Sequence, residues 1–438
     1  MKNFNSIMYL LLVVSGSINA QQERGIVGPD NWLSSWTEFT PSRVNYGENI
    51  QVLSGVISED TTLYKKHIYL LIGDVFVTNS AILGIEPGTV VMGDSKTNAT
   101  LTITPGAAII AEGTPLDPII FTSNNKRKKA GDWGGIIILG DVQTNRFGKS
   151  YVASLYTDIE PTNYEYTKFG DGKGENHSGF ISHLRIEYAG RSSNNSDVSN
   201  GLLLAGVGAK TLISNVMVSY SGGHSFGIVG GEVNMNQMFS NKSKGNDYDI
   251  RYGAVCHIIN ALAVRSPYIS SSEFRCMNVL SYANEAEVDV TNKQTEVVAK
   301  NMALLTDSQD LDYDVRAGLI KEAVFIGADT NFTLDSSVIS GFNKAVILDE
   351  NIKVNDEYLS KIQLRNTCFN QCSGNVFSKL KEDNFQLENW YNNPSFFNDN
   401  FKTSHAEFFM DLSSNIRDYR LNIQKIIAMN KVSESSEN

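Results

Sequence analysis

From residue 45 to residue 377 the apolar residues fall in short runs, each closed by glycine, asparagine or aspartate, and the spacing of an amphipathic helix is missing. Runs such as "GGIIILG" (134–140) and "GLLLAGV" (201–207) carry apolar residues at consecutive positions, as strands do when both their faces are covered. The runs also repeat. "LGIEPGTVVMG" (83–93) aligns with "LTITPGAAIIA" (101–111) at a shift of 18, keeping Leu, Ile, Pro and Gly. "ISHLRIEYAG" (181–190) aligns with "ISNVMVSYSG" (213–222), and "IINALAVRSP" (258–267) and "FTLDSSVISGF" (332–342) are looser copies.

Short strands that recur every 18 to 32 residues predict an all-β chain, a right-handed parallel β-helix in which each coil buries its inward side chains against the next. An antiparallel sandwich is the rival, but it needs hairpin turns and strands with one polar face. With strands ~4.8 Å apart, roughly ten coils make a rod of about 50 Å whose open ends must be covered. Residues 1–20 read as a signal peptide, 21–45 with Trp32 and Trp36 as an N-terminal cap, and 46–377 as the β-helix. Residues 378–429, aromatic and then helical in pattern, read as a C-terminal cap, and 430–438 as a disordered tail.

The leader assignment rests on Lys2, the apolar run Ile7 to Val14 and the small residues before Gln21, the layout of a cleaved export signal. No later stretch has the length and apolarity of a membrane-spanning helix, and no cysteine follows the cleavage point to carry a lipid. The formal charge of -11 becomes -12 once Lys2 is removed, which argues against nucleic acid and anionic membrane surfaces as partners. Four cysteines in an exported chain allow three disulfide pairings; proximity favours Cys256 with Cys276 and Cys368 with Cys372. No C-x-x-C pair marks a zinc site.

The segment "SGGHSFGIVGG" (221–231) contains a G-x-S-x-G match at Gly223 to Gly227, which would make Ser225 a nucleophile. That motif works only where a strand turns straight into a helix, and here Gly230 and Gly231 with β-branched neighbours come next instead. Glycines 222, 223, 227, 230 and 231 are expected at corners with positive φ, and His224 at a turn on the outer surface. The glycoside-hydrolase layout of β-helical polygalacturonases is absent as well. The preceding coil has no Asp-Asp pair, and Arg265 in the next coil lacks its lysine.

Several segments together resemble the exported β-helix proteins of Bacteroidetes that are often encoded beside TonB-dependent outer-membrane receptors. They are "LLIGDVFVTNSAILGIEPGTVVMGD", "LTITPGAAIIAEGTPLDPIIFTS", "GDWGGIIILGDVQTN", "HLRIEYAG", "GVGAKTLISNVMVSYSGGHSFGIVGGEVNM" and "INALAVRSPY", spread over residues 45 to 280. The resemblance implies a β-helix at the outer-membrane periphery or cell surface of a Gram-negative bacterium, with a receptor-type β-barrel as partner and no defined enzymatic activity. Acidic residues that such proteins carry in the turn at Gly223-His224 are missing here, and only Asn246-Asp247-Tyr248-Asp249 remains of a second acidic run.

Some chemistry lies outside that resemblance. Asp307, Asp310, Asp312 and Asp314 in "TDSQDLDYD" are the densest set of oxygen donors and the candidate site for Ca²⁺, the one cofactor considered. Two smaller clusters are Asp171 with Glu175 and Asn176, and Asp247 with Asp249. The four cations at 126–129 form the strongest basic run, a loop between coils and a candidate docking point. Tyr151, Tyr156, Tyr164 and Tyr166 are candidates for stacking on a sugar or packing on a partner. The expectation is a non-catalytic, exported binding or accessory protein; a β-helical polysaccharide lyase or glycoside hydrolase is the alternative, and a purely structural adhesin a third.

Overall fold

A computed structural model describes residues 24–47, 50–148, 150–152, 161–172, 177–191 and 199–428. The signal peptide, the terminal tail, Tyr156, Glu175 and Asn176 lie outside the described residues. The chain winds into a parallel β-helix with three faces. Face one is a sheet of ten strands, from Thr61–Leu63 to Ile362–Arg365, one per coil. Face two includes Leu184–Glu187, Val216–Ser219, Phe239–Asn241, Leu262–Arg265 and Cys368–Asn370. Face three includes His224–Val229, Tyr248–Arg251, Met277–Leu280, Glu322–Ile326, Lys344–Leu348 and Val376–Ser378. Successive coils pair in parallel on each face. The repeat read from the sequence is this coil.

The corner between faces one and two is one or two residues long, and its first residue adopts a left-handed backbone. His183, Asn215, Gln237, Asn260, Asn301, Ser336 and Asn366 occupy it with φ between 45° and 57°. Asparagine dominates because its short amide tolerates this conformation better than most side chains do. The amides also link coils, as where Asn215 Nδ2 donates to Gln237 Oε1 at 2.8 Å. Inward residues then stack in columns. Leu202, Phe226, Tyr248, Met277, Val324 and Val346 are register partners on face three and belong to one continuous core. The Phe226 and Tyr248 rings stack with centroids 5.2 Å apart, and the Tyr248 hydroxyl finds the Leu262 carbonyl at 3.0 Å.

The N-terminal segment does not close the end of the solenoid, as expected of residues 21–45, but runs along its side. Arg24 bonds Asn366 and Asp399 near the last coil, Val27 exchanges two 2.8 Å bonds with the Asn260 amide, and Trp36 meets His183 edge-on. The outward side of face two explains this. Met217, Phe239, Leu262, Val264, Leu305 and Val338 point away from the interior, and Ile26, Leu33 and Trp36 cover them in a second core. Phe408, Phe409, Tyr419 and Leu421 complete that cover. The C-terminal segment therefore does two jobs. Its helix Asn384–Tyr391 buries Leu387 and Tyr391 against the main core at the last coil. Further along, an antiparallel hairpin joins Phe409–Asp411 to Asp418–Leu421, where the sequence pattern suggests helix.

Candidate ligand-binding groove

Outward positions on face three also form a column. Asp249, Asn278, Phe325 and Ile347 are successive register partners, with Phe377 one coil further on. In the early coils this surface is covered, since Ile137, Leu139, Leu203 and Val229 pack under Val152, Phe169 and Val288. From Asn278 onward it opens into a groove of about 570 Å³. Asn278, Leu280, Phe325 and Ile347 make its floor, and Arg275, Lys321, Lys344, Lys379 and Lys381 line it with a single carboxylate, Glu322.

These cations are held rather than loose. Arg275 bonds Glu322 Oε1 through Nη2 at 2.6 Å and Nε at 3.1 Å, and its guanidinium lies 5.1 Å from the Phe325 ring centre. Lys379 covers the same ring at 4.9 Å while reaching Asp349 at 3.1 Å. Lys344 lies 4.9 Å from the Phe377 ring centre. Their ammonium heads remain at the rim, where Lys321, Lys379 and Lys381 are exposed. A chain with a net charge of -11 thus lines one open groove with five cations and one carboxylate, Glu322, while Asp349 pairs with Lys379 from beside it. Such a surface attracts polyanions and discriminates against cations.

A buried polar network anchors the head of the groove. Asn278 Nδ2 and Asn246 Nδ2 donate to Asp249 Oδ1 at 2.8 and 2.9 Å, and Arg251 Nε reaches Asp249 Oδ2 at 2.7 Å. Burial works against ionisation of Asp249, yet the Arg251 charge and the hydrogen bonds from Asn278 and Asn246 hold its carboxyl below the usual carboxylate range. Next to it, Arg265 bonds Asp247 at 3.0 Å and the Gly245 carbonyl at 2.8 Å. Burial pushes the Asp247 carboxyl up, against the pull of Arg265.

His224 departs from the expected outer-surface turn. It is buried in the first position of a face-three strand, where Nδ1 accepts the Asn246 backbone N–H at 2.8 Å and Nε2 faces Asp249 at 3.8 Å. Burial pushes it down to about 4, so the ring is neutral. Ser225 is fully buried, 2.6 Å from Ser240, which bonds Asp247. No substrate reaches that hydroxyl without unwinding the coil, so it is no nucleophile. Of the five glycines expected at positive φ, only Gly230 and Gly231 have it, at 61° and 80°. Gly222 and Gly227 are required by crowding instead: a Cβ would stand 2.6 Å from Gly131 Cα and 2.4 Å from Asn200 Oδ1 respectively.

The calcium set at 307–314 is not brought together. Asp307 pairs with Lys242 at 2.9 Å, and Asp310 caps the helix Leu311–Arg316 through the Tyr313 N–H. Asp312 is exposed on that helix, and Asp314 is buried, accepting from Ser308 at 2.6 Å and Tyr268 at 3.2 Å. No group of three metal-ligating side chains occurs among the described residues.

The expected disulfides are also corrected, since all four cysteines are free thiols. Cys368 faces the second core and accepts from Arg24 Nη1 at 3.3 Å, whereas Cys372 packs on the main interior. Cys256 sits on face one, while Cys276 lies at the start of face three beside Asp247. Burial pushes the Cys256 and Cys276 thiols far up.

Tyr164 and Tyr166 are exposed, Tyr166 against Phe76 at 5.0 Å, and Tyr151 sits in a short hairpin with Lys168–Phe169. These tyrosines are not part of the groove. The basic run 126–129 is a loop between faces two and three, with Lys128 over the Tyr46 ring at 5.0 Å.

The groove residues themselves escaped the sequence reading, because four of the five cations lie outside the strands, in connections of unequal length, and only Lys344 opens a strand. The only signal available was the column Asn278, Phe325, Ile347 and Phe377, which appears once the coils are in register.

The family model for the pectate-lyase-like β-helix domain matches residues 55–408. No characterised protein and no solved structure shows significant similarity to the chain. The match spans most of the sequence, and the chain belongs to the pectate-lyase-like β-helix family.

Proposed function

We propose that this protein binds an acidic polysaccharide along the groove on face three without cleaving it. The observation that carries the reading is the cluster of Arg275, Lys321, Lys344, Lys379 and Lys381 around one paired carboxylate. The coil spacing suits a polymer. Side chains one coil apart recur about every 4.8 Å, so a polyanion laid along the groove meets a fresh cation at each coil. Aromatic rings beneath the cations hold them in place along the groove, with Arg275 and Lys379 over Phe325 and Lys344 over Phe377.

Polysaccharide-active enzymes share this fold, which makes elimination the competing activity, but fold alone does not confer it. A lyase needs a free base beside the sugar α-proton and a group that neutralises the uronate. The guanidinium best placed for such work, Arg275, is spent on Glu322 and Asn278. The test is a titration with polygalacturonate, alginate and a neutral glucan at low salt, with absorbance read for unsaturated uronide. Binding of the acidic polymers alone, lost on Lys344→Glu with Lys379→Glu and weakened by salt, supports the proposal. Growth of uronide absorbance would establish the lyase, and equal binding of the neutral glucan would remove the electrostatic basis.

The leader-like residues 1–20 and the resemblance to exported proteins support a wider setting, in which the groove serves a receptor-type β-barrel at the outer-membrane periphery or cell surface. No helix among the described residues is long and apolar enough to cross a membrane, so attachment is assigned to the partner. Gentle solubilisation and purification through a C-terminal tag from the native host tests this setting. A barrel in stoichiometric amount supports it, and recovery of the protein alone from the medium opposes it.

A further inference from the structure

The two ends of the solenoid are unlike. The last coil is closed by the helix Asn384–Tyr391 and by the strand Asp399–Phe401 paired to Cys368–Asn370. At the first coil the strand Ile50–Ile57 pairs with Ile68–Val77 on one side, and among the described residues nothing pairs with its other edge. That strand carries no charged residue and no proline, two of the devices by which monomeric proteins protect a free edge; its one irregularity is a register shift between Ser54 and Gly55, where Gly55 has φ 70°. Its outward side chains are apolar and open: Ile50 is 48%, Val52 57% and Val56 48% exposed. Leu53 and Ile57 point inward onto the core.

We propose that the free edge of Ile50–Ile57 pairs antiparallel with the same strand of a second copy of this chain, across a two-fold axis at Leu53. Three observations select this occupant. Neither described end of the chain is at hand, because Arg24 lies beside Asn366 and Asp399 at the far coil and Ile426 packs into the side core. Stacking of a first coil on a last coil is blocked by the terminal helix, which leaves the first coil to meet its own kind. The strand is self-complementary in that arrangement. In the regular stretch before Gly55, Leu53 meets Leu53 and Val52 meets Ser54, with outward residues opposite outward residues and no like charges apposed. The pairing joins two sheets edge to edge, satisfies the open backbone groups and covers the exposed valines.

The groove lies in the last coils, so this association is independent of what the groove binds. Sedimentation of the purified protein over a concentration series is the test. A dimer is expected, with its Kd raised at least ~100-fold by the double variant Val52→Lys with Val56→Lys, because the two Val52 positions are diagonal neighbours across the axis and would bring like charges together. Both positions are about half exposed, so the variant keeps its thermal transition. Leu53→Cys should form an intermolecular disulfide under mild oxidation, because directly opposed antiparallel residues fall within bridging distance. A monomer at about 100 μM, where any complex of tighter Kd would be populated, overturns the proposal. So does a dimer that ignores the lysines or fails to cross-link.

Discussion

Acidification from pH 7 to pH 4 should destabilise this protein through two imidazoles, one buried and one half-buried. His224 and His405 are both pushed down by burial to about 4 from an ordinary 6.5. In the native chain they are neutral. His224 accepts the Asn246 N–H on Nδ1, and His405 Nε2 bonds the Ser340 hydroxyl at 2.7 Å. The unfolded chain takes up a proton on each as pH falls below 6.5 and the native chain does not, so stability falls with pH in that window and levels off near 4. A displacement of this size corresponds to about 3 kcal/mol for each group, a large part of the ~5–15 kcal/mol that holds a typical domain. Asp249 beside His224 adds little here, because its own pKa is held low and it titrates below the window. The assay is urea denaturation at several pH values between 7 and 4, comparing the wild type with His224→Gln, His405→Gln and the double variant. The double variant should give a flatter profile than the wild type, while the raised carboxyls of Asp247 and Glu187, protonated first in the native chain, oppose the loss in both proteins. Parallel profiles for wild type and double variant would refute the linkage to these two imidazoles.

The packing sets two further outcomes. Trp36→Ala, which removes a fully buried ring stacked 6.3 Å from Trp32 over face two, should cost about 3–5 kcal/mol and loosen the side segment first, seen as early hydrogen exchange at residues 24–45. Alkylation of the denatured, unreduced protein should add four groups per chain, one for each free thiol, while the native protein should react slowly because Cys256, Cys276 and Cys368 are buried; two or fewer groups would restore the disulfide expectation.

The winding of the chain was legible because a solenoid writes its period into the sequence. The corner after face one favours Asn, which holds four of the seven left-handed corner positions from His183 to Asn366, and each inward position demands an apolar residue that stacks on its equivalent one coil away, as Phe226 does on Tyr248. The side segment was not legible in that way. Met217, Phe239 and Leu262 announce that the outside of face two is covered, but no local pattern says which distant segment covers it. The same gap explains the cysteines. Cys368 and Cys372 are neighbours in sequence, yet one faces the outer core and the other the interior. The aspartates at 307–314 were misread because spacing cannot distinguish a ligand cage from a helix cap and separate ion pairs. His224 looked like a turn residue because glycines precede it, while its burial comes from the loop carrying Phe274, whose ring meets the imidazole edge-on at 5.4 Å.

The most direct test of polyanion binding in the groove is to map by hydrogen exchange where an acidic oligosaccharide sits on the folded protein. Added protection should be confined to face three of the last coils, around 275–280, 321–326, 344–348 and 376–381, and lost in the Lys344→Glu, Lys379→Glu variant. Protection on face one, or at the tyrosine-bearing insertion around 150–170, would contradict it.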